Sequence, residues 1–353
     1  MLDQHSVYVG TADGVWRVSV PESRRKPRAG LVEGGYTFER VGLPGENVYA
    51  LYGWRDAAGE HLLAGSYGNG LYRSDDGGQG WWPSNEGLTA SAFRTIEPDP
   101  HDPSALLAGM EPGRIFRSTD GGRSWTNLDG IEALDGVEAW YLPYSPRAGA
   151  VRNIYAPPGD RELWVSVEVG GLLHSTDAGA TWTVSAVLQD DDLHVVVGDP
   201  RDARVLYVGL GYAALPENPA REDDGYDFGG IARSLDGGAT WEKSEQHYTR
   251  ALIVPPTRPD LVLAAPAPHV GREGRIVVSA DQGATWSPAS DGIETPMADM
   301  IERFVPAPDG DIWGLSSRGC WYTASPGTWK WREIRDVQAD VTHDIQSVAV
   351  IAD

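Results

Sequence analysis

The chain lacks several things that would settle its class at once. A single cysteine, Cys320, stands in 353 residues, so no internal disulfide can form, which agrees with a reducing compartment. Lysine is almost absent: Lys26, Lys243 and Lys330 stand beside 26 arginines, and 51 acidic residues bring the net charge to −22. That balance excludes nucleic acid, whose phosphates need a basic face, and argues against anionic membrane surfaces. No apolar run reaches 18 residues, so no segment reads as a membrane span. The first residues, MLDQHSVYVGTADG, enter a strand-like pattern without a basic or apolar leader region, and the expected location is cytoplasmic unless a leader has been trimmed.

What the sequence does have is a repeat. Ser-x-Asp-x-Gly-x-x-Trp occurs five times, at Ser74–Trp81, Ser118–Trp125, Ser175–Trp182, Ser234–Trp241 and Ser279–Trp286. The spacings between successive serines are 44, 57, 59 and 45 residues, which is the period of a repeat architecture. Around each copy lie short runs rich in Val, Ile, Leu and aromatics, bounded by Gly, Pro and Asp, as strands are. In one unit, Phe93–Glu97 reads as an inner strand, PDPHDPS as a turn, Ala105–Met110 as a second strand, Arg114–Ser118 as a third, and Trp125–Leu128 as the start of a fourth. Degenerate units at Tyr8–Val18 and Ile312–Thr323 raise the count to seven.

The first unit has no inner strand before Val7, while Ile345–Ile351 is an apolar strand left over at the end. Placing the second inside the first closes a ring with no open sheet edge at the seam. The sequence therefore predicts an all-β fold: a seven-bladed β-propeller of four-stranded antiparallel blades, one domain over 1–353, closed by its C-terminal strand. Within the repeat, Asp76, Asp120, Asp177, Asp236 and Asp281 are expected to accept backbone N–H bonds in their own turns. Trp81, Trp125, Trp182, Trp241 and Trp286 are expected to bury a ring while the indole N–H finds an acceptor. One carboxylate per unit is too few for calcium, which takes six to eight oxygens.

These turns resemble the Asp-box, or BNR, repeats of sialidase-like propellers, and the likeness covers nearly the whole chain. The resemblance implies that the boxes lie on the face away from the usual ligand site. Ligand-facing loops would then join second strand to third and fourth strand to the next blade. The superfamily contains sialidases, xyloglucan-degrading glycosidases, sortilin-type receptors and a photosystem assembly factor, so it leaves function open. The Arg-Ile-Pro signature of sialidases is missing; Arg114-Ile115-Phe116 and Arg275-Ile276-Val277 are strand residues next to boxes.

Three readings follow from the candidate loops. A binding propeller would take a carbohydrate or a protein partner on its central face, using Arg94, Arg114, Arg250 and the aromatics Tyr212, Tyr226 and Phe228 of the long, acidic Gly211–Gly230 loop. A glycosidase would use Glu111 and Glu168, which fall at matching places after the second strands of adjacent blades. A metal-dependent lyase or hydrolase would use His194, His247 and His343, each at or just before an inner strand, with Asp192, Asp344 and Glu302 in comparable segments. No cofactor is predicted beyond a possible divalent metal. No G-x-S-x-G elbow or phosphate loop is present.

Overall fold

The computed structural model describes residues 5–19, 36–140, 149–158, 161–188, 192–211, 229–319, 321–334 and 345–352. These form seven four-stranded antiparallel sheets, as predicted. Blade 1 consists of Ile345–Ala352, His5–Thr11, Gly14–Ser19 and Thr37–Gly42, so the last strand of the chain is the innermost strand of the first blade. Its register against His5–Thr11 pairs Val7 with Val350 and Val9 with Val348. The inner strands of blades 2 to 7 are Val48–Asp56, Ala92–Asp99, Ala150–Tyr155, Leu193–Asp199, Tyr248–Ile253 and Ile301–Pro306. The expected PDPHDPS turn is tighter than its composition suggested. Ala92–Asp99 and Asp102–Glu111 leave only Pro100 and His101 between them, because the Asp99 carboxylate accepts the His101 N–H at 2.9 Å. Among the described residues no helix is long and apolar enough to cross a membrane.

The apolar core lies between the blades and not on the axis. Seven large clusters of buried side chains each join one pair of neighbouring blades, around the whole ring. Both faces of a blade are therefore covered. This is why second strands such as Leu163–Glu168 and Val262–Ala267 are buried at every position, without the alternation of a one-sided sheet. With the core spread over seven slabs, the axis is left for polar side chains.

The repeated turn joins strand 3 to strand 4. In all five copies the serine hydroxyl donates to the Asp Oδ1 at 2.8 Å and accepts the glycine N–H at 2.8 Å. Four copies add a hydroxyl from Ser124, Thr181, Thr240 or Thr285 to the Asp Oδ2. Gly80 holds that place in the first copy and has no hydroxyl to give. Glycine is required here twice over. Gly238 has φ +81, and a Cβ on it would meet Trp164 of the preceding blade at 2.5 Å. The tryptophans depart from expectation: the indole N–H of Trp81, Trp241 and Trp286 finds an acceptor, while those of Trp125 and Trp182 are buried without one. Tight ring burial against the neighbouring blade outweighs the lost bond at those two places.

Two outcomes are expected. Gly238→Ala should destabilise the fold by about 2 kcal/mol or more, from left-handed strain plus the Trp164 clash, read in urea unfolding. Hydrogen bonds from Thr181, Thr240 and Thr285 hold Asp177, Asp236 and Asp281 at a pKa of about 2, and those from Ser124 outweigh burial to do the same for Asp120. An unfolded Asp titrates near ~3.9. Because the folded values are depressed, the carboxylates stabilise the fold above about pH 4, and that contribution is lost as the pH falls toward about 2. Tryptophan fluorescence should report acid unfolding in that window, with Thr240→Val moving the midpoint upward; a midpoint unmoved by that change would count against the mechanism.

Candidate functional site

Antiparallel order decides which loops share a face. The start of each inner strand pairs with the end of its second strand, as in Ala92 with Glu111 and Ala150 with Glu168. Loops joining strand 2 to 3 and strand 4 to the next blade therefore lie together, on the face opposite the repeated turns. On this face each inner strand carries a β-bulge at its beginning. The register steps from Val48 to Ala50, Phe93 to Thr95, Val151 to Asn153, Leu193 to Val195, Thr249 to Leu252 and Ile301 to Arg303 while the partner strand advances by one residue fewer. The closing strand does the same between Ser347 and Ile345.

The extra residues are Tyr49, Arg94, Arg152, His194, Arg250, Glu302 and Gln346. A bulge turns a side chain out of the ladder and re-aims it, and bulges gather at functional sites for that reason. Here six of the seven line one central pocket of about 660 Å³, together with Thr95, Glu97, Asn153, Arg303 and Arg318. Arg94 is set behind them.

Most of the charge on this ring is matched. Arg94 is buried, ion-paired to the equally buried Glu111, and lies over the rings of Tyr49 and Tyr67 at 4.9 and 4.6 Å. Tyr67 also donates to Glu111 at 3.1 Å. Arg152 is paired with Glu168, and Arg250 donates to Glu302 at 2.8 Å with Glu168 at 3.9 Å. Burial would push the Tyr49 hydroxyl pKa up, yet the positive charges of Arg152, Arg94 and Arg250 bring it below its ordinary value. Burial pushes the Glu97 carboxyl up, against the opposing effects of a Thr95 hydrogen bond and the Arg303 charge. Arg318 and Arg303 are the exceptions: among the described residues neither guanidinium has a hydrogen-bond or ion-pair partner, although the Glu97 and Glu302 carboxyls act at a distance on Arg303. Burial lowers the Arg303 pKa, so its charge is held at a cost that an arriving anion would relieve. Further groups of wall residues are unsatisfied: the Arg152 and Arg250 Nε, both His194 ring nitrogens and the Gln346 Oε1.

The sequence candidates fall as follows. Arg94, His194 and Arg250 are all bulge residues. Glu111 and Glu168 occupy the predicted matching places, each bonded to an arginine, and neither lines the central pocket. Arg114 is paired with Glu132, away from the pocket wall. His247 is bonded to Glu245 at 2.7 Å and to Arg275 at 3.1 Å, apart from His194. Tyr212, Tyr226, Phe228 and His343 lie outside the described residues. His194 keeps the expected Asp192 and gains Glu168: one ring nitrogen and one oxygen from each carboxylate all lie within 4.8 Å of one another. This is the one such group among the described residues. Arg152, Tyr49 and Gln346 were missed by sequence reasoning. The signal that finds the ring is positional, since each bulge residue directly follows an apolar residue or threonine at the head of an inner strand.

No protein-family model matches the chain, and no characterised protein matches it in sequence. Solved structures do match in shape. A GH74 enzyme from Niastella koreensis is 16% identical with a TM-score of 0.56, over 98% of this chain and 52% of that one. Sqt1 of Chaetomium thermophilum, solved with the N-terminus of ribosomal protein L10, is 12% identical with a TM-score of 0.54, over 99% and 97% of the two chains. YCF48 from Cyanidioschyzon merolae is 12% identical with a TM-score of 0.50, over 84% and 86%. This chain thus spans about half the length of the Niastella enzyme. At such identities the likeness is one of fold, a β-propeller shared by glycoside hydrolases and protein-binding proteins.

Removing one partner of the Arg94–Glu111 pair leaves a buried charge uncompensated. Glu111→Ala should therefore cost ~3–5 kcal/mol of stability. The paired change Arg94→Met with Glu111→Leu should recover most of that loss in urea unfolding. A single variant as stable as the parent would show that the pair does not stabilise its blade.

Proposed function

We propose that this chain is an Asp-box propeller of the sialidase-like kind whose central face binds a carboxylate-bearing ligand, an acidic segment of a protein partner before a sugar acid. The observation that carries this is the unpartnered Arg303 guanidinium in a pocket where Arg152 and Arg250 are already ion-paired. A guanidinium is suited to a carboxylate because its planar fork gives two parallel N–H···O bonds. The Gln346 Oε1 lacks a donor and suits a peptide N–H of the same ligand. A net charge of −22 repels acidic ligands at long range, so recognition is local, and it weakens with salt only as far as Arg303 stays solvated. The propeller of similar shape from Chaetomium thermophilum is bound to a polypeptide N-terminus, which supports the choice of a protein partner.

A glycosidase using Glu111 and Glu168 needs one carboxyl poised as an acid. Each of them is instead held by an arginine and neither lines the central pocket, which supports binding over hydrolysis.

Acidic peptides, uronic-acid oligosaccharides and neutral oligosaccharides, compared by calorimetry against parent and Arg303→Gln, test the proposal. Acidic peptides should bind the parent, and Arg303→Gln should weaken them by roughly 10–100-fold, the worth of a charge-assisted hydrogen bond. Binding of neutral sugars alone, unchanged in Arg303→Gln, would contradict it.

A further inference from the structure

We propose that Glu168, Asp192 and His194 form a binding site for one first-row divalent transition-metal ion at the edge of the central pocket. The residues come from two neighbouring blades: Glu168 ends the second strand of blade 4, and Asp192 and His194 open the inner strand of blade 5. All three are buried, and their ligand atoms lie within 4.8 Å of one another. The His194 Nε2 is 3.4 Å from Asp192 Oδ1. That separation is about the edge of a tetrahedron whose metal–ligand bonds are ~2.1 Å, the length of zinc–nitrogen and zinc–oxygen bonds.

His194 points to a ligand independently of the carboxylates. It is only 6% exposed, and neither ring nitrogen has a hydrogen-bond partner. A buried polar group left without a partner calls for an explanation, and an ion is one of the few. The ring is held by an edge contact with Tyr248 at 5.2 Å.

The space for the ion is kept open by Gly211. A Cβ at this position would come within 2.3 Å of Asp192 Oδ2 and 2.6 Å of His194 Nε2, so any side chain would fill the cradle. Glu168 is shared with two arginines, Arg250 lying 3.9 Å from its Oε1. Arg152 is bonded to Glu168 Oε2, Arg250 has its own partner in Glu302, and Asp192 adds a second carboxylate. One imidazole and two carboxylates suit zinc, manganese, iron or cobalt; calcium, which prefers six to eight oxygens, is not matched. The site does not depend on Arg303, and the two assignments stand or fall separately.

The test is titration of chelator-stripped protein with zinc, manganese and cobalt(II) chlorides by calorimetry, with the visible spectrum of the cobalt form as a second readout. One equivalent is expected, with a rise in melting temperature. Loss of a metal's outer-shell partner costs roughly 10–100-fold in affinity, so loss of a ligand in His194→Ala or Asp192→Asn should cost more than ~100-fold. Gly211→Ala should lose the metal with all three ligands intact, and serves if a ligand variant fails to fold. His247→Gln should bind as the parent does. Absence of stoichiometric binding in the parent, or binding retained in folded His194→Ala or in Gly211→Ala, would overturn the assignment.

Discussion

The central face depends on one backbone irregularity repeated around the ring. Each inner strand carries one residue more than its partner can pair, and it carries it at the same place, just after the strand begins. A regular ladder would send alternate side chains into the two blade interfaces, where only apolar groups are stable. The bulge releases one residue per blade from that demand. Tyr49, Arg94, Arg152, His194, Arg250, Glu302 and Gln346 can therefore be polar, charged or aromatic without cost to the packing on either side. The scaffold is uniform and the ring is not, which is how a repeat fold acquires a specific site.

The opposite face solves a different problem. There the serine, aspartate and glycine of the repeated turn satisfy one another within eight residues, and the glycine lets the turn press against the blade before it. These carboxylates are occupied by their own turns, so they contribute to stability and to its acid limit, not to recognition. Chemistry is left to the face where guanidinium and carboxylate meet across blades.

The architecture was readable because it rests on local signals. Gly next to Asp at a fixed offset makes the turn wherever it occurs, and the unpaired Ile345–Ile351 strand needed an edge that only the first blade could give. The site was readable only in part. Arg94, His194 and Arg250 stood out as polar residues at the heads of apolar strands, but Arg152 and Gln346 occupy the same place and were passed over, since a bulge leaves no mark in composition. The partnership of His194 with Glu168 was hidden for another reason: it crosses a blade boundary, and blade-to-blade distances are not written in spacing. That Arg303 lacks an ion pair while Arg94, Arg152 and Arg250 each have one is a property of the closed ring, visible only when their carboxylates are placed with them.

The most direct measurement is a crystal structure of the protein with an acidic peptide bound. The account expects a ligand carboxylate within ~3 Å of the Arg303 guanidinium, inside the ring of bulge residues, with the Arg94–Glu111 and Arg152–Glu168 pairs unbroken. A ligand seated on the outer rim, or one that displaces those arginines to reach Glu111 and Glu168, would contradict it.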